Sequence, residues 1–195
     1  SPLMQGSYMF LDAATQRNLE LVHNLKGGTD GTLLSVLDET ITPMGGRYLR
    51  NAVLRPLIDI DEIRSRLGAV ECLVDDYELI ETLRSNFRKI QDIERLASRV
   101  MARTATPRDL IAIRHSVASL PAVKNALASS QDRCLMDLSD AISGFAGLEE
   151  LIGAAIMDNP PLSVRDGGII KGGYSHEVDD LRAISTKGKD FIADL

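Results

Sequence analysis

Asp59-Ile60-Asp61-Glu62-Ile63-Arg64-Ser65-Arg66-Leu67-Gly68-Ala69-Val70-Glu71-Cys72-Leu73-Val74 carries the plainest helical signal in the chain. Asp59 with Glu62 three residues later has the form of a capping box. Ile63, Leu67, Val70 and Val74 then recur at intervals of three and four, the spacing of one helix face. This face is therefore expected to look toward a core.

Working outward, the same signals recur. Thr42-Pro43 is a strong helix start, since Thr accepts a hydrogen bond from a first-turn amide and Pro at the first helical position forfeits none. Arg55-Pro56 closes that helix. A further helix follows through Leu79, Leu83 and Phe87. Another spans about Asp92 to Ala102, with Ile93, Leu96, Ala97 and Val100 on one side. Thr106-Pro107-Arg108-Asp109 repeats the cap and proline, with an acid placed to meet the helix dipole, ahead of a stripe of Leu110, Ile113, Val117 and Leu120. Pro121 marks a break or a new start, and Ala128-Ser129-Ser130-Gln131-Asp132 reads as a polar linker. Helical spacing resumes through Leu138, Ile142 and Phe145, weakened by Gly144 and Gly147, and runs on to Ile156 before Asn159-Pro160-Pro161.

The two ends differ in character. Tyr8-Met9-Phe10-Leu11 is β-prone, and Asp12 is placed to cap a short helix through Ala13, Ala14 and Asn18. An apolar stretch, Leu19 to Leu25, leads into a loop at Gly27-Gly28-Thr29-Asp30-Gly31. Leu162 and Val164 alternate with polar residues up to Asp166-Gly167, and Ile169-Ile170 follow, which predicts a small two-stranded ribbon. From Ser175 the spacing of Val178, Leu181, Ile184, Phe191, Ile192 and Leu195 is helical again, with no glycine cap or proline, so this helix reads as running on past the last residue. The fold class expected is mainly α: a helical core with a few short β-strands near the N-terminus and around residues 162–171.

Composition narrows the function classes. The 195 residues are 44% hydrophobic and 26% charged with seven prolines, which suits a packed domain rather than a disordered chain. No apolar run approaches the roughly 18 residues of a membrane span, and no signal peptide is visible. Cys72 and Cys134 are too few for a disulfide framework and are expected to be reduced and buried, as in the cytoplasm. The net charge of −6 is opposite to the usual nucleic-acid footprint. It is uneven, however: residues 1–40 hold two basic and five acidic groups, residues 41–108 twelve and ten, and residues 109–195 eight and thirteen. Any DNA-facing surface belongs in the middle stretch.

Catalytic motifs are missing. Gly188-Lys189 has Ala183 where a phosphate loop needs its first glycine and Asp190 where it needs Ser or Thr, and Gly27, Gly28 and Gly31 make no dinucleotide fingerprint. His23, His115 and His176 lie far apart, neither cysteine has a C-x-x-C partner, and no G-x-S-x-G elbow occurs. The acid pairs Asp75-Asp76, Glu149-Glu150 and Asp179-Asp180 point about 100° apart on a helix and do not share a site. No catalytic, cofactor-binding or metal-ligating residue is expected in this segment. One constellation has physical specificity: Arg95, Arg99 and Arg103 at i, i+4 and i+8 would stack three guanidiniums on one face of a continuous helix and could track phosphates. Arg47 and Arg50 with Asn51 form a weaker cluster. The competing reading is that these arginines pair with Asp92, Glu94 or acids on a neighbouring helix.

Read as a string, Leu11-Asp12-Ala13-Ala14-Thr15-Gln16-Arg17-Asn18-Leu19-Glu20-Leu21 resembles the opening of the core domain in the bacterial MutS family of DNA mismatch-recognition proteins. The likeness continues in order through Gly31-Thr32-Leu33-Leu34-Ser35-Val36-Leu37-Asp38, Thr42-Pro43-Met44-Gly45, Leu49-Arg50 and Pro56-Leu57. It resumes at Asp92-Ile93-Glu94-Arg95-Leu96 with Arg99, at Pro107-Arg108-Asp109-Leu110, at Arg165-Asp166-Gly167-Gly168-Ile169-Ile170 with Gly173-Tyr174, and at Asp180-Leu181-Arg182. Residues about 122–157 are the least distinctive.

The resemblance implies three parts. Residues 1–10 would end a preceding connector or enter the core as a strand, residues 11–175 would form the helical core domain, and residues 176–195 would be the base of an outgoing lever helix that leads to a DNA clamp. It implies a lever that couples an ATPase domain to that clamp, with the segment itself not an enzyme. For the longer protein it implies ATP and magnesium, double-stranded mismatched DNA, contacts with its own ATPase, connector and clamp domains, a homodimer, a MutL-type repair partner, and a bacterial cytoplasmic setting at the nucleoid when on DNA. No Phe-x-Glu occurs in the chain, so the family's mismatch-reading element has no counterpart here. The alternatives are direct phosphate contact through the arginine-rich face and a stand-alone helical adaptor.

Overall fold

The computed structural model describes the backbone of residues 8–193 and the side chains of residues 8–185. Residues 1–7 of the expected connector segment, the last two residues, and the apolar positions Phe191 and Ile192 as side chains lie outside that description. Helices account for nearly all regular structure: α1 (Ala13–Asn18), α2 (Leu33–Leu37), α3 (Pro43–Leu54), α4 (Ile60–Asp75), α5 (Tyr77–Phe87), α6 (Ile93–Met101), α7 (Pro107–Ala118), α8 (Leu120–Ala128), α9 (Arg133–Ala141), α10 (Ala146–Ala155) and α11 (His176–Ala193).

The starts are where side-chain oxygens can satisfy free amides. Asp12 accepts from Thr15 N at 2.7 Å, Thr42 from Gly45 N at 3.1 Å, Asp59 from both Asp61 N and Glu62 N at 3.0 Å, and Asp132 from Leu135 N at 3.0 Å. Asp132 shows that the polar stretch before α9 is a helix cap as well as a linker. Leu19–Leu25 forms no helix: Glu20 takes a left-handed φ of 48° and turns the chain so that Leu21 and Val22 are buried while Leu25 stays exposed.

Two compact units result. The first comprises residues up to Arg95 together with Ala118–Gly144, and the second comprises Leu96–Val117 together with the residues from Phe145 onward. In the first unit α4, α5, α8 and α9 pack on one another around Ala69, Leu79, Leu83, Val123, Leu127 and Leu135. In the second, Leu96, Ile111, Ile113, Val117, Ile152 and Ile156 form a separate core. Three fully buried hydroxyls are each satisfied by a carbonyl: Thr32 donates to Thr29 O, Ser116 to Ala112 O and Ser139 to Lys124 O. Among the described residues no buried side-chain oxygen or nitrogen lacks a partner.

The structure corrects the sequence reading at three places. No strand forms at residues 162–171. Val164–Asp166 is a 3-10 turn capped by Ser163, and Gly167 and Gly168 follow with φ of 69° and 66°, a left-handed pair that turns the backbone away from any partner. All that remains of the ribbon is a single bridge between Ile156 and Ile170, and the N-terminal strand likewise reduces to a bridge between Tyr8 and Leu57. The mainly helical class stands without the sheet.

The second correction concerns α4. Leu67, Val70 and Val74 are all more than half exposed, and the core is met instead by Ala69, Cys72 and Leu73. Small side chains at 69 and 72 let α5 and α9 approach closely, so the more bulky stripe is turned outward. Third, α6 ends at Met101, and Arg103 stands past its end with a left-handed φ of 57°. Cys72 and Cys134 are free thiols, both partly buried against the first core, with Cys72 Sγ 3.2 Å from Ser130 Oγ.

Candidate functional site

Of the five arginines singled out in the sequence, Arg47, Arg50 and Arg95 lie in the first unit and Arg99 and Arg103 in the second. In the first unit Arg47 reaches from α3 to the start of α6, where its Nη1 and Nη2 each donate to Asp92 at 2.8 Å and it also bonds Glu94. Bidentate Arg–carboxylate geometry fixes both side chains. The Arg47 hydrogen bonds hold the Asp92 carboxyl down to about 2, against partial burial that opposes them, and the same pairing raises the Arg47 guanidinium further above its already high value. Arg95 shares that carboxylate at 3.4 Å, so Asp92 and Glu94 together balance the charge of two of the candidates.

In the second unit Arg99 Nη1 lies 2.6 Å from Asp109 Oδ1. Asp109 also accepts from Thr106 N at 2.8 Å and Thr106 Oγ1 at 3.0 Å, while Thr106 Oγ1 accepts from Asp109 N at 3.3 Å. This is a reciprocal capping box with Asp in place of Glu. The Thr106 backbone bond is the largest cause of the lowered Asp109 pKa, with Arg99 contributing. Arg50 and Arg103 form no ion pair among the described residues. Arg103 is off the helix, so the expected i, i+4, i+8 stack does not exist.

The other arrangement of note lies at the root of α11, within the second unit. Arg182 Nη2 donates to Ile170 O at 2.8 Å, and its Nη1 lies 3.4 Å from Asp179 Oδ1. Asp179 Oδ2 accepts from Gly173 N at 2.7 Å. Gly173 has φ of 81°, a conformation that suits glycine and that presents this amide to the helix. Ile170 in turn is bridged to Ile156 at the end of α10, with Met157 N donating to Ile169 O and Lys171 N to Ala155 O, both at 2.8 Å. Lys171 Nζ bonds Gly153 O at 2.7 Å and Asp158 at 3.2 Å, and Asp158 also receives Arg114 at 2.8 Å. The Arg114 and Lys171 bonds, in that order, lower the Asp158 pKa.

Sequence reasoning missed this anchor because its partners are separated along the chain and half of its contacts are backbone carbonyls and amides, which leave no residue-type signature. The Asp179-Asp180 pair was visible, but only the fold distinguishes Asp179, aimed back at Gly173, from its neighbour. Gly188-Lys189 lies inside continuous α11. Helical amides there are turned to carbonyls of the preceding turn, so this glycine–lysine pair does not form a phosphate loop. Among the described residues no group of three His, Cys, Asp or Glu is placed to hold a metal, and no helix is long and apolar enough to cross a membrane.

Comparison with known proteins bears on what such a block belongs to. Residues 14–195 match the family model described as MutS domain III. The chain belongs to the MutS domain III family. It is 46% identical over 192 residues to the DNA mismatch repair protein MutS of Pelotomaculum thermopropionicum, covering 97% of this chain and 22% of that protein. The MutS of Salinibacter ruber is 44% identical over 192 residues, with 98% and 21% covered, and that of Methanococcoides burtonii is 43% identical over 198 residues, with 99% and 22% covered. The chain thus spans about a fifth of the length of the curated relatives it matches. The ordered sequence blocks that suggested MutS all fall within the matched region, apart from the first three residues of the opening block, Leu11 to Ala13.

Proposed function

We propose that this MutS domain III chain acts mechanically, transmitting conformational change through α11 between a nucleotide-hydrolysing region and a DNA-holding region of a mismatch-repair protein. The observation that carries this reading is the anchor at the root of α11. An 18-residue helix is about 27 Å long at a rise of 1.5 Å per residue. Leu181 and Ile184 along it are exposed, so over the described side chains of this helix its directed anchoring comes from Asp179 and Arg182. A helix held by directed hydrogen bonds at its root moves as a unit, and a displacement there passes through Ile170 and the Ile156 bridge into a packed core. Two distant ligands can then bias one shared equilibrium.

For the longer protein this reading implies ATP with magnesium, mismatched duplex DNA, a second copy and a MutL-type partner; the segment contributes no catalytic group. In the full-length protein Ile184→Pro breaks the helix interior at a cost of about 3 kcal/mol or more to local helicity. Mismatch-stimulated nucleotide exchange should fall toward the unstimulated rate, with each ligand still bound separately. Unchanged stimulation in a folded variant would rule the lever out. A second reading, direct contact with DNA phosphates, draws support from Arg50 and Arg103, the two candidates without an ion pair among the described residues. Charge reversal at these two should lessen the salt dependence of DNA binding under that reading.

A further inference from the structure

In the first unit, the C-terminal end of α3, the start of α4 and the chain at Tyr8 enclose a cavity of about 300 Å³ lined by Tyr8, Tyr48, Asn51, Arg55, Leu57 and Arg66. We propose that this cavity is a binding site for a phosphate-class oxyanion, gripped between the guanidiniums of Arg55 and Arg66. Of these residues only Asn51 was grouped with Arg47 and Arg50 in the sequence, and none belongs to the root of α11.

The argument rests on how the two arginines are held. Arg55 Cζ lies 5.0 Å from the centroid of the Tyr8 ring, and Arg66 Cζ lies 6.0 Å from that of Tyr48. A guanidinium drawn to a ring by its charge need not spend its N–H donors there, so those donors stay able to meet a phosphate oxygen pair. Tyr8 is fixed under Arg55 by its bridge to Leu57 and by the bond from Met9 N to Pro56 O at 2.7 Å. The stack is therefore built by backbone pairing before any ligand arrives. Arg55 forms no ion pair among the described residues. Arg66 spends one nitrogen on Glu62 at 2.7 Å and keeps the others. Asn51 adds an amide donor to the wall, and the apolar rim is supplied by Leu57.

Charge gives the same sign. Two guanidiniums against one carboxylate leave the cavity cationic in a chain whose net charge is −6. The C-terminal end of α3 disfavours an anion, by a few tenths of a kcal/mol at an exposed site. Binding must then come from the arginines, so removing either one should be decisive. The cavity is concave and of the size of the smallest ligand pockets, which suits a single phosphate group more than an extended surface.

The chain has four tyrosines and no tryptophan, and two of the four, Tyr8 and Tyr48, line this cavity, so a ligand there changes tyrosine fluorescence over a constant signal from Tyr77 and Tyr174. The 195-residue chain should be titrated with inorganic phosphate, with pyrophosphate, and with a short homoduplex, each at ionic strength held constant with chloride. A saturable change is expected, weakened roughly tenfold or more in Arg55→Gln and in Arg66→Gln and unaltered in Arg133→Gln, an exposed arginine on α9 paired with Asp137. Circular dichroism confirms that each variant is folded. Saturation by phosphate or pyrophosphate assigns a free phosphate ligand, and saturation by the duplex alone, with the same dependence on Arg55, assigns a polynucleotide phosphate. No saturable response to any of the three, or an equal loss in Arg55→Gln and Arg133→Gln, overturns the proposal.

Discussion

Replacing Asp109 by Asn removes one charge at the point where α7 begins while keeping the size of the side chain. Asp109 Oδ1 takes Arg99 Nη1 at 2.6 Å, and Oδ2 takes Thr106 N at 2.8 Å. An amide can present oxygen to only one of these donors, so its NH2 must face the other. Three contributions are lost. The ion pair with a half-exposed Arg99 contributes about 0.5 kcal/mol after solvent screening. A first-turn carboxylate against the helix dipole adds about 0.3–1 kcal/mol. Exchanging a charged acceptor for a neutral one under the Thr106 amide costs about 0.5–1.5 kcal/mol. Together these come to about 1.3–3 kcal/mol, or roughly 3–12 °C in Tm for a chain of this length.

The pH dependence separates charge from shape in this substitution. Asp109 is held below the ordinary carboxylate value in the fold, first by the Thr106 amide. A depressed carboxylate contributes stability that is fully present above its unfolded pKa, about 3.9, and is lost as pH falls through the lower folded value. Calorimetry at pH 7 and again near pH 3 should therefore show a wide gap between parent and Asp109→Asn that narrows in acid. A gap of the same size at both pH values, or none at pH 7, would refute the electrostatic account of this helix start.

Three further outcomes follow from the same contacts. Leu135→Ala, at a nearly fully buried position in the first core, should cost about 2–5 kcal/mol in chemical denaturation, because α8 and α9 cannot close the cavity fully. In Arg47→Ala the Asp92 carboxyl, held at about 2, should titrate near the ordinary value for Asp when followed by carbon-detected NMR, since its largest downward influence has gone. Arg182→Ala should speed hydrogen exchange at the Gly173 amide and in the first turns of α11 by several-fold, while exchange in α4 and α5 of the first unit stays unchanged.

The sequence by itself determined where helices begin. Asp12, Thr42 and Asp59 cap through bonds to residues two or three places away, a local geometry fixed by residue type, and Thr106 with Pro107 and Asp109 is legible for the same reason. It also carried the family, since ordered blocks from Leu11 to Arg182 need no coordinates to be compared. The tertiary structure decided what distance along the chain conceals. The expected ribbon at 162–171 depended on a partner strand, and two left-handed glycines with a capped 3-10 turn removed it. The face of α4 depended on which side α5 and α9 could approach, and the small residues Ala69 and Cys72 won over the bulkier Leu67, Val70 and Val74. Arg47 was separable from a phosphate-tracking role only by seeing Asp92 forty-five residues away close on it. The root of α11 and the Arg55–Tyr8 stack are long-range pairings of the same kind. Caps and periodicity are properties of a few consecutive residues, whereas facing, pairing and charge neutralisation are set by which elements meet, and that is fixed only when the chain packs.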